Sequence, residues 1–103
     1  MITEIVLFKL PAGMSREEYF KRARESAPTW GANPELIRKN YLYDAEGGYG
    51  GGAYLWPSVA EAQRWHGAAF KQRIKEMYGS EPTFTYYETP VVVDNRARDI
   101  IGV

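Results

Sequence analysis

A chain of 103 residues, 45% hydrophobic and 25% charged, has the length of one globular domain and a composition that excludes wholesale disorder. Thirteen basic residues offset thirteen acidic ones, so no net field draws the chain to nucleic acid or to an anionic membrane. The absence of cysteine excludes disulfides, thiol nucleophiles and thiolate metal sites. With no signal-peptide pattern and no apolar run near ~20 residues, the expectation is a soluble cytoplasmic protein.

The first predicted element is a strand over Ile2 to Leu10, with Ile2, Val6, Phe8 and Leu10 on one side and Ile5 and Leu7 on the other. Ser15 to Glu18 (SREE) is a capping box, in which the serine hydroxyl accepts from the Glu18 amide and Glu18 reaches back. The helix it opens places Tyr19, Phe20, Ala23, Ala27 and Trp30 on one face, and Pro28 is expected to kink or end it. Leu36 to Trp56 organises the chain as two strands around a turn. A period-2 strand from Leu36 to Tyr43 leads into a glycine-rich reversal from Asp44 to Gly52, and Ala53 to Trp56 returns as a strand that Pro57 stops. Ser58 to Glu61 repeats the capping-box pattern and opens a second helix with Ala62, Trp65, Ala69 and either Phe70 or Ile74 on its buried stripe. Gly67 is a natural break within it, and Gly79 suits its end. Thr83 to Asp94 reads as one long last strand. Residues 1–95 then form the domain and 96–103 a C-terminal tail too brief for an element.

The order β-α-β-β-α-β is that of a ferredoxin-like α+β domain, two helices on one face of a four-stranded antiparallel sheet. Both faces of the strands carry apolar residues, and a last strand of roughly 36 Å at ~3.3 Å per residue outruns a helix of about 18 Å. Two helices cannot cover that much sheet. A homodimer with sheets packed face to face is the expected remedy.

Aromatic side chains make up 15% of the chain, enough to line a core or a pocket. His66, the only histidine, titrates near neutral pH and is the candidate proton-transfer residue, although a lone helical histidine is ordinarily a surface or partner-bonded residue. Tyr54 and Trp56 share one strand face, as do Arg38 and Asn40 in the neighbouring strand, with Tyr86 as a candidate from the last strand. Together they form a conceivable site for a planar phenolic substrate. Tyr54 and Asn40 would orient oxygens, Arg38 would stabilise a phenolate or enolate, and Trp56, Trp65 and Tyr86 would pack the ring. The bland alternative makes Arg38 and Lys39 salt-bridged or solvated charges and the aromatics packing. Gly48, Gly50 and Ala53 loosely fit a dinucleotide fingerprint but lead into a strand, so a hairpin turn is preferred. No metal-ligand cluster or nucleotide loop is present, and no cofactor is expected.

Three segments carry a resemblance: Asn33 to Tyr41 (NPELIRKNY), Gly51 to Ser58 (GGAYLWPS) and Pro90 to Asn95 (PVVVDN). They resemble the YdhR-type monooxygenases, within the antibiotic-biosynthesis-monooxygenase and haem-degrading group of dimeric α/β barrels. The resemblance implies a homodimer that oxygenates a small aromatic or polyketide-like molecule without metal or flavin, in a pocket between sheet and helices. Haem degradation is disfavoured, because the first strand has no Asn and Trp65 and His66, being adjacent, point about 100° apart on a helix. Two alternatives keep the fold. One is a non-oxidative polyketide cyclase or isomerase using His66 and a tyrosine. The other is a non-catalytic small-molecule-binding dimer, which a pocket too small for a bicyclic ligand would favour.

Overall fold

The computed structural model describes residues 1–102, the side chains of Asp99 and Ile101 excepted. Its elements are β1 (Ile2–Lys9), α1 (Arg16–Gly31), β2 (Arg38–Asp44), β3 (Tyr49–Trp56), α2 (Val59–Trp65), α3 (Ala68–Tyr78), β4 (Thr83–Glu88), β5 (Val91–Asp94) and β6 (Asp99–Gly102). The four main strands form one antiparallel sheet in the order β2-β3-β1-β4. The domain is therefore ferredoxin-like, with α1, α2 and α3 supplying the helices. Ile2, Val6, Phe8, Tyr54 and Trp56 from the sheet meet Tyr19, Ala62, Phe70, Ile74 and Tyr78 from the helices in one buried cluster. Fully burying a large side chain contributes about 1.5–3 kcal/mol, so this face holds the fold together.

Local chemistry explains the helix boundaries. Ser15 Oγ accepts from the Glu18 amide at 3.1 Å, whereas the Glu18 carboxylate turns to Arg22 Nε at 3.1 Å, so only half of the capping box forms. At the second helix Ser58 bonds the Glu61 side chain instead of a backbone amide. Gly67 splits that helix into α2 and α3, and Gly79 closes α3 in the left-handed conformation at φ 77°, a backbone state that costs glycine nothing. Pro28 does not end α1, which continues to Gly31. Pro28 leaves the Arg24 carbonyl without its amide donor, a loss confined to the last two turns of the helix.

The C-terminal region differs from the sequence expectation. The last strand stops at Glu88, because Thr89 turns its amide to the Met1 carbonyl at 3.0 Å and Pro90 has no amide to donate. Val91–Asp94 instead pairs with Asp99–Gly102 as a separate hairpin, so part of the expected tail is a strand. Asp94 Oδ1 holds the turn by accepting from the amides of Arg96 and Ala97 at 3.1 and 3.0 Å. Val103 lies outside the described residues. Among those described, no helix is long and apolar enough to cross a membrane.

Candidate functional site

Residues directly opposite in an antiparallel ladder share a face, so the register assigns every strand side chain. Lys39 pairs with Tyr54, Tyr54 with Glu4, and Glu4 with Tyr86. One row thus crosses all four strands on the helix-covered face, in the order Lys39, Tyr54, Glu4, Tyr86. Arg38 and Asn40 pair with Leu55 and Ala53 and occupy the other face. The expected grouping of Arg38 and Asn40 with Tyr54 and Trp56 therefore does not form, since side chains one residue apart on a strand diverge to opposite sides. Arg38 instead makes an ion pair with Asp94 of the C-terminal hairpin at 3.4 Å. Trp65 is also set apart: it is 41% exposed and donates its indole N–H to Glu35 at 3.2 Å.

His66, Tyr54 and Trp56 do come together, around a residue that sequence reasoning passed over. Glu4, fully buried, accepts from Trp56 Nε1 at 2.9 Å through Oε1, and the same oxygen lies 2.7 Å from His66 Nδ1. The His66 ring is boxed by Tyr54, Phe70, Trp30 and Trp56, with ring centres 4.2 to 5.8 Å away. Glu4 Oε2 and His66 Nε2 have no protein partner among the described residues. His66 is thus the partner-bonded histidine of the bland reading, a buried acid–imidazole pair behind an aromatic wall. Tyr86 stands across the ladder from Glu4 at the sheet edge. Its phenol is raised above the ordinary range by burial first and by Glu4 second.

On the other side of that wall lies a cavity of about 140 Å³ between α1, α3 and the sheet. Its aromatic lining includes Tyr19, Trp30, Tyr41, Tyr54 and Phe70, and its basic lining is Arg22, Lys39 and Arg73, with no acidic side chain. A cavity near 150 Å³ holds a benzene ring, so this one matches a single-ring guest. A wider open groove of about 560 Å³ runs outside α1 along β2, past Arg16, Phe20, Arg24 and Tyr43.

Several residues shape the cavity. Gly50 admits the Tyr19 ring, for a Cβ there would lie 2.6 Å from Tyr19 Cε1. The Tyr19 hydroxyl then enters the β2–β3 ladder, donating to the Leu42 carbonyl at 2.8 Å and accepting from the Gly51 amide at 2.9 Å. Burial pushes its phenol up to about 12, partly offset by the Gly51 bond. Tyr41 Oη and Ser26 Oγ lie 2.6 Å apart, and Ser26 donates to the Ala23 carbonyl at 3.0 Å, which fixes the tyrosine hydroxyl against α1. Burial also raises the Tyr54 phenol well above its usual range.

Lys39 is the exceptional group. Its Nζ sits 3.8, 4.6 and 4.7 Å from the ring centres of Tyr41, Tyr54 and Trp30. No carboxylate pairs with it or with Arg73 among the described residues. Arg22, by contrast, is committed to Glu18 and to the Met77 carbonyl. Burial, and then the positive charge of Arg73, lower the Lys39 ammonium from 10.5 to about 7. That difference disfavours the ammonium by roughly 5 kcal/mol relative to water, and the ring faces, which favour a cation by ~0.5–2 kcal/mol, oppose part of it. Sequence reasoning missed Lys39 and Glu4 for the same reason. Each is a charged residue whose neighbours two positions away are apolar, Ile37 and Tyr41 for Lys39, Ile2 and Val6 for Glu4, and that alternation was the available signal.

No family model matches the chain, and no curated protein matches it. The fold class and the cavity therefore carry the functional argument.

Proposed function

We propose that the protein acts on a single-ring phenol or cyclic enol in the cavity between α1, α3 and the sheet, with Lys39 taking the acidic proton. The observation that carries this reading is an aromatic-lined cavity holding an unpaired lysine poised near neutral pH. A base is most useful when it titrates close to the working pH. The anion formed would lie against the Lys39 ammonium and Arg73, in a site that excludes much of the water. Cofactor-independent oxygenation is the fate the family resemblance suggests for such an electron-rich anion, which can itself reduce dioxygen. Lys39 takes the role expected of His66, which the ring of Tyr54 separates from the cavity.

4-Nitrophenol tests the first step, because its anion absorbs visible light. Binding is expected to bring up the nitrophenolate band below its solution pKa, and Lys39→Met is expected to abolish the band. A bound but neutral phenol would sink the reading. Oxygen uptake with a panel of single-ring hydroquinones tests the oxygenase step, and anaerobic turnover would point to isomerisation instead. The cavity's size favours a second reading, a binding protein without turnover, over a bicyclic polyketide substrate. We further propose a homodimer through the uncovered sheet face and the hairpin, where Tyr87, Val91, Val93 and Ile100 are 49–70% exposed. A strictly monomeric mass by light scattering at micromolar concentration would exclude it.

A further inference from the structure

We propose that Lys39 is also a nucleophile, its amine condensing with the carbonyl group of a single-ring aldehyde or ketone in the cavity to form an imine. The inference rests on the cavity reading given above but asks more of the lysine than proton transfer.

Three features of the geometry support it. The lysine stem runs through a slot kept by Gly52, where a Cβ would lie 3.0 Å from Lys39 Cε and 2.9 Å from Tyr54 Cε1. A side chain at that position would press on both Lys39 and Tyr54. Next, the amine has no carboxylate partner among the described residues, so no neighbouring anion holds the proton on its nitrogen. Third, Arg73 lines the same cavity, and a desolvated lysine beside another cation is the arrangement that activates an amine for Schiff-base chemistry. With its ammonium lowered to about 7, Lys39 holds a far larger neutral fraction at pH 7 than the roughly one part in 3,000 of an unperturbed lysine.

The atoms balance without an oxidant or reductant. The Nζ lone pair attacks the carbonyl carbon as the C=O π pair moves to oxygen, and a proton passes from nitrogen to oxygen to give a carbinolamine. The nitrogen lone pair then expels the hydroxyl group, which leaves as water. A C=N bond replaces the C=O bond, with one water lost. The flat rings of Tyr41, Tyr54 and Trp30 suit an aromatic or cyclic carbonyl compound over a linear one.

Benzaldehyde with sodium borohydride, followed by digestion and peptide mass spectrometry, tests the proposal on the whole protein. Reductive trapping is expected to place one benzyl group on Lys39 at pH 7, on the order of ten-fold or more faster than on the exposed Lys71 and Lys75. The Lys39 rate is expected to rise with a midpoint near pH 7. Arg73→Gln is expected to slow trapping at pH 7 by letting the lysine regain its proton, and Lys39→Arg to abolish the fast adduct while keeping the charge. Even labelling of all lysines, or a fast adduct surviving in Lys39→Arg, would overturn the proposal. 4-Nitrophenol binding in the same preparation separates the two readings. Binding without trapping defeats the imine alone, and loss of both defeats the cavity reading with it.

Discussion

Glu4 and Lys39 lie in one row of the same sheet face, on either side of Tyr54, yet the fold treats their charges in opposite ways. Glu4 is sealed in, and one of its oxygens, Oε1, is already engaged by His66 and Trp56. Lys39 has rings around it, a second cation facing it and a cavity in front of it. A buried charge with its partner in place is part of the structure, whereas a half-buried one without a carboxylate partner, beside an opening, is a place for a ligand. Tyr54 is the partition between these two regions.

The difference can be broken from the Glu4 side with the largest effect. His66→Ala leaves the buried carboxyl without its imidazole partner and is expected to cost about 3–5 kcal/mol in urea unfolding, while nitrophenol binding by the folded fraction persists. Binding lost without any loss of stability would reverse the assignment of the two regions.

Lys39→Met should do the opposite, removing binding and raising stability at low pH. The folded ammonium near 7 lies below its unfolded value near 10.5, so the unfolded chain binds more protons between those limits. Lys39 therefore costs the fold stability in full below about pH 7, and that cost fades as pH rises toward 10.5. Raised phenols such as Tyr19 work the other way above about pH 10, where the unfolded tyrosines ionise first. Thermal melts from pH 6 to 9 should rise for the wild type and run flatter for Lys39→Met. The variant should be the more stable at pH 6, by up to about 4 kcal/mol. A variant less stable at pH 6 would mean that the lysine is held by interactions beyond those described.

Smaller effects sharpen the boundary of the site. Gly50→Ala forces the Tyr19 ring from its place and is expected to cost roughly 1–3 kcal/mol by overpacking, with weaker nitrophenol binding because Tyr19 also lines the cavity. Trp65→Ala, on the exposed side of α2, should change stability by no more than about 0.5 kcal/mol and leave binding unchanged in a fluorescence titration. A loss of binding there would restore Trp65 to the site.

Alternation and capping signals made the β-α-β-β-α-β order readable from residues alone. Period-2 runs in β1 and β2, the Ser15 cap and the glycines at 67 and 79 each act within a few positions of chain, and each is found where that local physics puts it. Site assembly was less legible. Tyr54, Trp56 and Tyr86 do share the helix-covered face, but placing Arg38 and Asn40 with them ignored that facing pairs depend on register, which the neighbouring strand sets. His66 was readable as a notable residue and not as a buried one, since its partner Glu4 is 62 residues away.

By itself, the amino-acid sequence determined the order of the sheet strands and helices and the ferredoxin-like class, though not the C-terminal hairpin, because helix caps, strand periodicity and turn glycines are short-range effects. Tertiary structure alone decided which charges are paired, which face each side chain joins, and where α1 and α3 leave a ring-sized space over Lys39. Those outcomes follow from long-range registry and packing, and desolvation acts on a lysine only once the chain has closed around it.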